Sequence, residues 1–186
     1  MDKKGWIEFK SVTERVFESA TIAECWGFQI QKNTKWNTGL TEDEIVSLEK
    51  QFGFDFPNDY VEMLKVFNGF DTKQISIDPD GVEKPQYERR CYKYPDDLEK
   101  TKWLLDEINQ NIEYANATLT EAGFDPAQVE GFIPLYGHRA LVVLENKQQT
   151  PVLSIWGSDI IVYGDSLIKY WCHEFHIDFE EQKMHT

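Results

Sequence analysis

The sequence predicts an α+β fold with an antiparallel sheet. Helical patterns occupy most of residues 1–112, and four short runs of β-branched and aromatic residues follow between residues 132 and 163. Strands that follow a series of helices, rather than alternating with them, are typical of antiparallel sheets. With 186 residues, 41% of them hydrophobic, the chain can bury one core of ordinary size, so we expect a single domain spanning residues 1–186.

The first two helices are predicted from apolar periodicity and from boundary residues. Apolar residues recur one, three and four positions apart along one face of the first helix. They are Trp6, Phe9, Val12, Val16, Phe17 and Ala20. The second helix should begin at Thr41, because Thr41 and Glu44 have the spacing of a capping box. It should end at Gly53, a residue that readily adopts the left-handed conformation. Its apolar positions are Ile45, Leu48 and Phe52.

Two further helices and a short strand are expected before residue 113. The third helix should start at Pro57, since a first-turn position leaves its N–H unpaired in any case, and should stop at Asn68-Gly69. Residues 74–77 have the composition of a short strand. The fourth helix is predicted from about Asp96 to Ile112. Its apolar residues are Trp103, Leu104, Leu105, Ile108 and Ile112.

The main sheet is predicted from four runs that favour strands. They are residues 132–136, 140–144, 152–156 and 159–163. Gly157-Ser158 has the form of a two-residue hairpin loop, and Pro134 favours an edge strand or the start of a strand. Asp165 or Ser166 should cap a last helix. We therefore expect an antiparallel sheet flanked by N-terminal helices and one C-terminal helix.

The net charge of the chain and its distribution limit the classes of molecule that the protein is expected to bind. The formal net charge is −14, from 33 acidic and 19 basic residues. Most of it lies in residues 41–70, with seven acidic against two basic residues, and in residues 96–131, with nine against two. Such a surface repels phosphate backbones and anionic lipids, so nucleic acid and membrane are not expected partners. Such a surface would attract a basic partner. The simpler interpretation is that the charge only keeps the protein in solution.

Cysteine usage and the N-terminal sequence both favour the cytoplasm. Three cysteines without a C-x-x-C spacing argue against a disulfide framework and against a zinc ribbon. The first apolar stretch is interrupted by Glu8 and Lys10, which is not the pattern of a signal peptide. No apolar run approaches the roughly 18 residues that a membrane-spanning helix needs.

The sequence has no recognised catalytic motif. There is no G-x-S-x-G, no G-x-x-x-x-G-K-[ST] and no G-x-G-x-x-G, so we expect no catalytic residues. The nearest metal motif is His173-Glu174-Phe175-His176, one residue short of H-E-x-x-H. A metal would need a third ligand from elsewhere, and the simpler interpretation is the polar end of the last helix, so no metal is expected.

Gly137-His138-Arg139 lies between two predicted strands. Arg139 could bind a carboxylate through both of its terminal nitrogens, with His138 as an adjacent donor in a pocket. It could equally neutralise a carboxylate of this chain and join the sheet to the helices as an internal ion pair, which is the interpretation that we favour.

Several short motifs follow one another in a defined order. They are Trp36-Asn37-Thr38-Gly39-Leu40-Thr41, Glu44-Ile45, Leu48-Glu49, Phe54-x-Phe56-Pro57-x-Asp59-Tyr60, Leu64, Asn68-Gly69 and Phe132-Ile133-Pro134-Leu135-Tyr136-Gly137-His138-Arg139. In this order they resemble the SUKH superfamily, which includes fungal cell-wall glucan-synthesis regulators and many bacterial immunity proteins. The resemblance covers about residues 36–175. Residues 1–35 then form an N-terminal helical extension, and residues 96–131 an acidic helical insertion.

The resemblance implies both a fold and a role. The fold is a single SUKH-like α+β domain with a strongly bent antiparallel sheet flanked by helices. The role is non-enzymatic and needs no cofactor: an immunity protein binds and neutralises a cognate bacterial toxin. The alternative is an intracellular regulatory or scaffold protein of the glucan-synthesis regulator type. Many toxins of such systems are nucleases with basic clefts, so an acidic surface suits a basic toxin.

Acidic side chains in the two most acidic segments are the candidate contacts with the toxin. They are Glu42, Asp43, Asp59, Glu62, Asp96, Asp97, Asp106 and Glu107. The competing interpretation places the contact surface elsewhere and leaves these charges only a solubilising role.

Overall fold

An antiparallel sheet of four strands lies at the centre of the molecule, in a computed structural model that describes residues 1–25 and 27–179. The helices are α1 (Lys3–Glu18), α2 (Glu42–Phe52), α3 (Asn58–Leu64), α4 (Leu98–Gln110), α5 (Ile112–Glu121) and α6 (Leu167–Glu174). The strands are β1 (Trp36–Thr38), β2 (Phe67–Phe70), β3 (Gln74–Ser76), β4 (Gln86–Glu88), β5 (Val129–Tyr136), β6 (Arg139–Leu144), β7 (Val152–Trp156) and β8 (Asp159–Gly164). The predicted α+β class is therefore confirmed.

The four central strands form a meander in the order β5-β6-β7-β8, in which every neighbouring pair is antiparallel. Two small sheets, β1-β2 and β3-β4, lie outside it. Pro134 is in the edge strand β5, as its missing N–H favours. The β7–β8 hairpin closes through Gly157-Ser158, where Gly157 has φ +57°.

Helices cover both faces of the central sheet. Side chains alternate between the two faces of a strand, so neighbouring residues of β6 enter two different cores. Leu141 and Val143 belong to the larger core, which α1, α2, α3 and α6 enclose. Ala140 and Val142 belong to the smaller core, built with α4 and α5. The molecule thus has three layers, with the sheet in the middle.

The acidic segment 96–131 forms one of these layers. Leu104 and Ile108 of α4, and Ala115 and Leu119 of α5, are all 0% exposed. They pack onto the face of the sheet that the other helices leave open. This segment therefore completes the packing of the sheet.

The N-terminal extension is also part of the core. Trp6 and Phe9 of α1 are fully buried, and their rings lie 5.8 and 6.3 Å from the ring of Phe67. The Trp36 Nε1–H donates a 2.7 Å hydrogen bond to Thr13 Oγ1 in the same core. Packing and a buried hydrogen bond thus join α1 to β1 and β2.

The predicted boundaries of α2 are confirmed. Thr41 accepts a hydrogen bond from the Glu44 amide, and Glu44 accepts one from the Thr41 amide, so the capping box is complete. Gly53 ends the helix with φ +86°, in the left-handed region that favours glycine.

The prediction that Asn68-Gly69 ends a helix is wrong. Helix α3 ends at Leu64, and residues 67–70 form β2, which pairs with β1. The Asn68 amide donates to the Tyr94 carbonyl at 2.6 Å and accepts from the Tyr94 amide at 2.9 Å. These two bonds use the side chain of Asn68 and fix β2 to a segment 26 positions away, a contact that local residue patterns do not contain.

The fourth predicted helix is two helices. Helix α4 ends at Gln110, and α5 extends to Glu121, nine residues past the predicted end at Ile112. The Asn111 N–H bonds to both the Glu107 and Ile108 carbonyls, which marks the end of a helix. Helix α5 was missed because its buried positions are only Ala115 and Leu119, which give a weak apolar pattern.

Candidate functional site

The sides of α4 and α5 that point away from the sheet form an acidic surface with exposed aromatic rings. We call it the α4–α5 outer face and define it by Trp103, Asp106, Glu107, Glu113 and Tyr114. Trp103 is 44% and Tyr114 is 55% exposed. Among the described residues, none of the three acids is in an ion pair.

Two of the predicted contact residues in the α2–α3 region are engaged within the chain. The Asp59 carboxylate pairs with the amino group of Met1, and the Asp59 carbonyl accepts from Trp6 Nε1 at 3.0 Å. Glu62 accepts from Lys65 Nζ at 2.9 Å. Both carboxylates are more than three quarters buried, so they support the packing of α1 and α3 and offer little to a partner.

The other two candidates in that region, Glu42 and Asp43, are exposed at the start of α2. Glu42 lies 3.5 Å from Lys65 Nζ but keeps 84% of its side chain exposed. Pairs of this kind on a surface contribute little to stability. Because α2 and α4 pack on opposite faces of the sheet, these two acids belong to a different surface from the α4–α5 outer face.

Asp96 and Asp97, adjacent in the sequence, have different environments. Asp97 is 8% exposed, accepts the Lys93 amide at 2.8 Å and lies 3.3 Å from Arg89 Nη1. It therefore holds the loop before α4 in place. Asp96 is half-exposed and accepts from Lys93 Nζ at 2.7 Å, a hydrogen bond that lowers the pKa of its carboxyl.

His138 lies in the turn between β5 and β6 and Arg139 is the first residue of β6, and both line a cleft of about 430 Å³. Arg139 Nε is 3.5 Å from Glu174 Oε2 of α6, and both side chains are mostly buried. The guanidinium carbon lies 4.1 Å from the centre of the Tyr163 ring, and Nη1 donates to Ser154 Oγ at 2.9 Å. Arg139 therefore joins the sheet to the last helix.

Three titratable groups that line the cleft have shifted pKa values, and burial raises that of the Tyr136 hydroxyl. Burial, followed by the nearby charges of Arg139 and Arg90, lowers the pKa of His138 to about 4, so its imidazole is neutral near pH 7. Burial raises the pKa of Glu174 against the opposing effect of Arg139. The remaining lining residues, which the sequence did not single out as a group, are Gly27, Phe28, Arg90, Gly137 and Trp156.

The two histidines of the His173-Glu174-Phe175-His176 motif both border a groove at the end of α6. The His173 ring stacks on Tyr163 with centroids 4.2 Å apart, and its Nδ1 lies 3.1 Å from the Tyr163 carbonyl oxygen. His176 follows the end of α6 with φ +52°. In the part of the chain that the structure describes, no three His, Cys, Asp or Glu side chains converge as metal ligands would.

The fold is a three-layer α+β arrangement with the four-stranded antiparallel meander in its middle layer. The SMI1 / KNR4 family (SUKH-1) matches residues 39–170, more than two thirds of the chain. The chain therefore belongs to this family and to the SUKH superfamily, whose domains are generally non-enzymatic immunity or regulatory modules. Neither a curated protein nor a solved structure gives a match. Within residues 1–25 and 27–179, no helix is long and apolar enough to span a bilayer.

Proposed function

We propose that this chain is a cytoplasmic immunity protein that binds a cognate basic toxin through the α4–α5 outer face. The observation that carries this proposal is the combination, on two helices in contact, of exposed rings and acids without ion-pair partners among the described residues. A basic toxin would be steered by the net charge of −14 and held by Asp106, Glu107 and Glu113.

The two aromatic rings can supply binding energy that charge attraction alone does not. Trp and Tyr are the residues that most often dominate binding energy at protein interfaces. Trp103 and Tyr114 are exposed beside the acids, so they can pack against the stems of lysine and arginine and bind their charges through the ring faces. A nuclease toxin fits this chemistry, because the cleft that holds its phosphates is basic.

The first experiment identifies the partner. The immobilised full chain is exposed to lysate of the source cells and then washed at low and at higher salt. We expect one basic polypeptide, bound one-to-one and released by salt, whose toxicity in cells is suppressed when the two are expressed together. Recovery of several non-toxic cellular proteins instead would favour the alternative, a regulatory or scaffold protein of the family, over immunity.

The second experiment tests the surface with matched variants. Asp106→Asn/Glu113→Gln removes two charges from the α4–α5 outer face, and Glu42→Gln/Asp43→Asn removes two from the opposite side of the sheet. The first pair should slow association with the toxin by about 3- to 10-fold and flatten its salt dependence. The second pair should change the rate much less. Equal slowing by both pairs would mean that the charge only steers, and a larger effect of the second pair would place the contact on α2.

A further inference from the structure

The cleft beside the β5–β6 turn concentrates arginine in an otherwise acidic protein. Arg90 and Arg139 both line it, and we call it the arginine cleft. Its volume of about 430 Å³ is within the range of small-ligand pockets. It opens on the side of the sheet where Ser154 and Arg139 face each other across β6 and β7, opposite the layer of α4 and α5.

Both guanidinium groups keep donors for a ligand. Arg139 donates from Nη1 to Ser154, and its Nε faces Glu174, but Nη2 makes no hydrogen bond with the described residues. Arg90 bonds through Nη1 to Glu88, which is 38% exposed, so this pair is weak. Its Nε and Nη2 lie against Gly137, where an added Cβ would be 2.8 Å from Nη2. The glycine at position 137 therefore gives the Arg90 guanidinium its place in the cleft.

Apolar surface lies next to these donors. The Arg90 guanidinium carbon is 5.0 Å from the centre of the Phe28 ring, and Trp156 at the mouth of the cleft is 72% exposed. The neutral His138 ring lies 5.7 Å from the Trp156 ring. Its Nε2 accepts a hydrogen bond from Arg139 Nη1, which leaves the Nδ1–H as one further donor. An exposed Trp beside two arginines offers a flat apolar contact next to an anion-binding group.

From these contacts we infer that the arginine cleft binds a carboxylate carried next to an aromatic or apolar group. A guanidinium matches a carboxylate through two parallel N–H···O bonds, which is the reason for preferring this anion. Glu174 does not compete for the same donors, because it faces the Nε edge of Arg139. Two sources carry such a group: a small aromatic acid, and the C-terminus of a peptide that ends in an apolar residue.

The test is a calorimetric or NMR titration of the full chain with two pairs of probes. Phenylacetate is compared with the neutral phenylacetamide, and a short peptide ending in Phe is compared with its C-terminal amide. We expect phenylacetate to bind with a dissociation constant of about 1–10 mM, as suits so small a ligand, and the amide at least about tenfold more weakly.

Variants then assign the binding to the cleft. Arg90→Gln and Trp156→Ala should each weaken phenylacetate about five- to tenfold. Trp103→Ala, which removes the exposed tryptophan of α4, should leave the affinity unchanged. The double variant Arg139→Gln/Glu174→Gln removes the guanidinium without leaving a buried unpaired charge. It should weaken phenylacetate at least as much as Arg90→Gln does, while the circular dichroism spectrum stays the same.

Each outcome either identifies the source of the carboxylate or contradicts the proposed binding site. A peptide acid that binds more tightly than phenylacetate assigns the cleft to a protein C-terminus, and one that binds more weakly assigns it to a small acid. Equal affinity for acid and amide, no saturation up to about 50 mM, or an equal loss on Trp103→Ala would overturn the inference.

Discussion

Arg139 and Glu174 form the ion pair that joins the central sheet to the last helix. The Nε and Oε2 atoms are 3.5 Å apart and both are buried. Neither atom makes a hydrogen bond within the described residues, so the contact is a charge pair rather than an aligned hydrogen bond.

Because the two charges are paired, we expect a single substitution to lower the free energy of unfolding more than the double substitution does. Arg139→Gln leaves the Glu174 carboxylate buried without its partner and should lower the free energy of unfolding by about 2–3 kcal/mol. The double variant Arg139→Gln/Glu174→Gln should lose only about 1 kcal/mol, because no uncompensated charge remains. Urea denaturation of the wild type, both single variants and the double variant gives the coupling energy directly. Strictly additive losses would show that the two residues do not stabilise each other.

His138 predicts a specific dependence of stability on pH. Its pKa of about 4 in the folded state is below the ordinary value near 6.5, so between these values the unfolded chain binds more protons. The free energy of unfolding should therefore fall as pH drops from about 6.5 to about 4. Because the ring is partly exposed to solvent, which screens the charge, we expect this contribution to be about 1 kcal/mol.

The measurement compares the wild type with His138→Gln at pH 7 and at pH 4.5 by urea denaturation. Other groups titrate equally in both proteins, so the difference between the two pH profiles isolates His138. Parallel profiles would show that the His138 ring titrates in the folded protein as it does in the unfolded chain.

The packing of α4 predicts that the acidic segment is needed for stability. Leu104→Ala should lower the free energy of unfolding by about 2–4 kcal/mol, because its side chain is fully buried against the sheet. Leu105→Ala is the matched control and should cost less, since Leu105 is only partly buried. A negligible loss for Leu104→Ala would mean that the segment is an appendage whose removal the sheet tolerates.

The surroundings of two glycines predict that the same substitution lowers the free energy of unfolding by different amounts. At Gly39 an added Cβ would lie 2.5 Å from the Leu64 carbonyl oxygen, so the backbone of α3 would have to move. Gly39→Ala should therefore destabilise by about 3 kcal/mol. At Gly53 there is open space and only the left-handed φ is unfavourable, so Gly53→Ala should cost about 1 kcal/mol. Thermal and urea unfolding rank the two, and a larger loss at Gly53 would contradict this account.

Local signals in the sequence predicted much of the fold. The capping box at Thr41, the left-handed Gly53 and the Gly157-Ser158 hairpin each depend on residues within a few positions of one another. Strand β2 was missed because it is defined by pairing with β1, where Phe70 lies opposite Trp36, 34 residues away in the sequence. The three-layer arrangement was also outside the reach of local patterns, since it depends on which face of the sheet each helix covers.

The same distinction applies to the candidate sites. The sequence singled out Arg139 but not its carboxylate partner, which is 35 positions away on α6. It grouped Asp96 with Asp97, although packing buries one and leaves the other half-exposed. The amino-acid composition shows that the segment containing α4 and α5 is acidic. Which of its acids point outward is shown only by the packing of Leu104 and Ile108 against the sheet.

Helix α4 separates two tasks along its length. Positions 104 and 108 contact the sheet, and positions 103, 106 and 107 lie on the solvent side or its border. Substitutions at the second set can alter the shape and charge of the outer surface while the first set keeps the sheet covered. Over evolutionary time, the outer residues of one helix can therefore change the partner that they bind while its inner residues keep the fold stable.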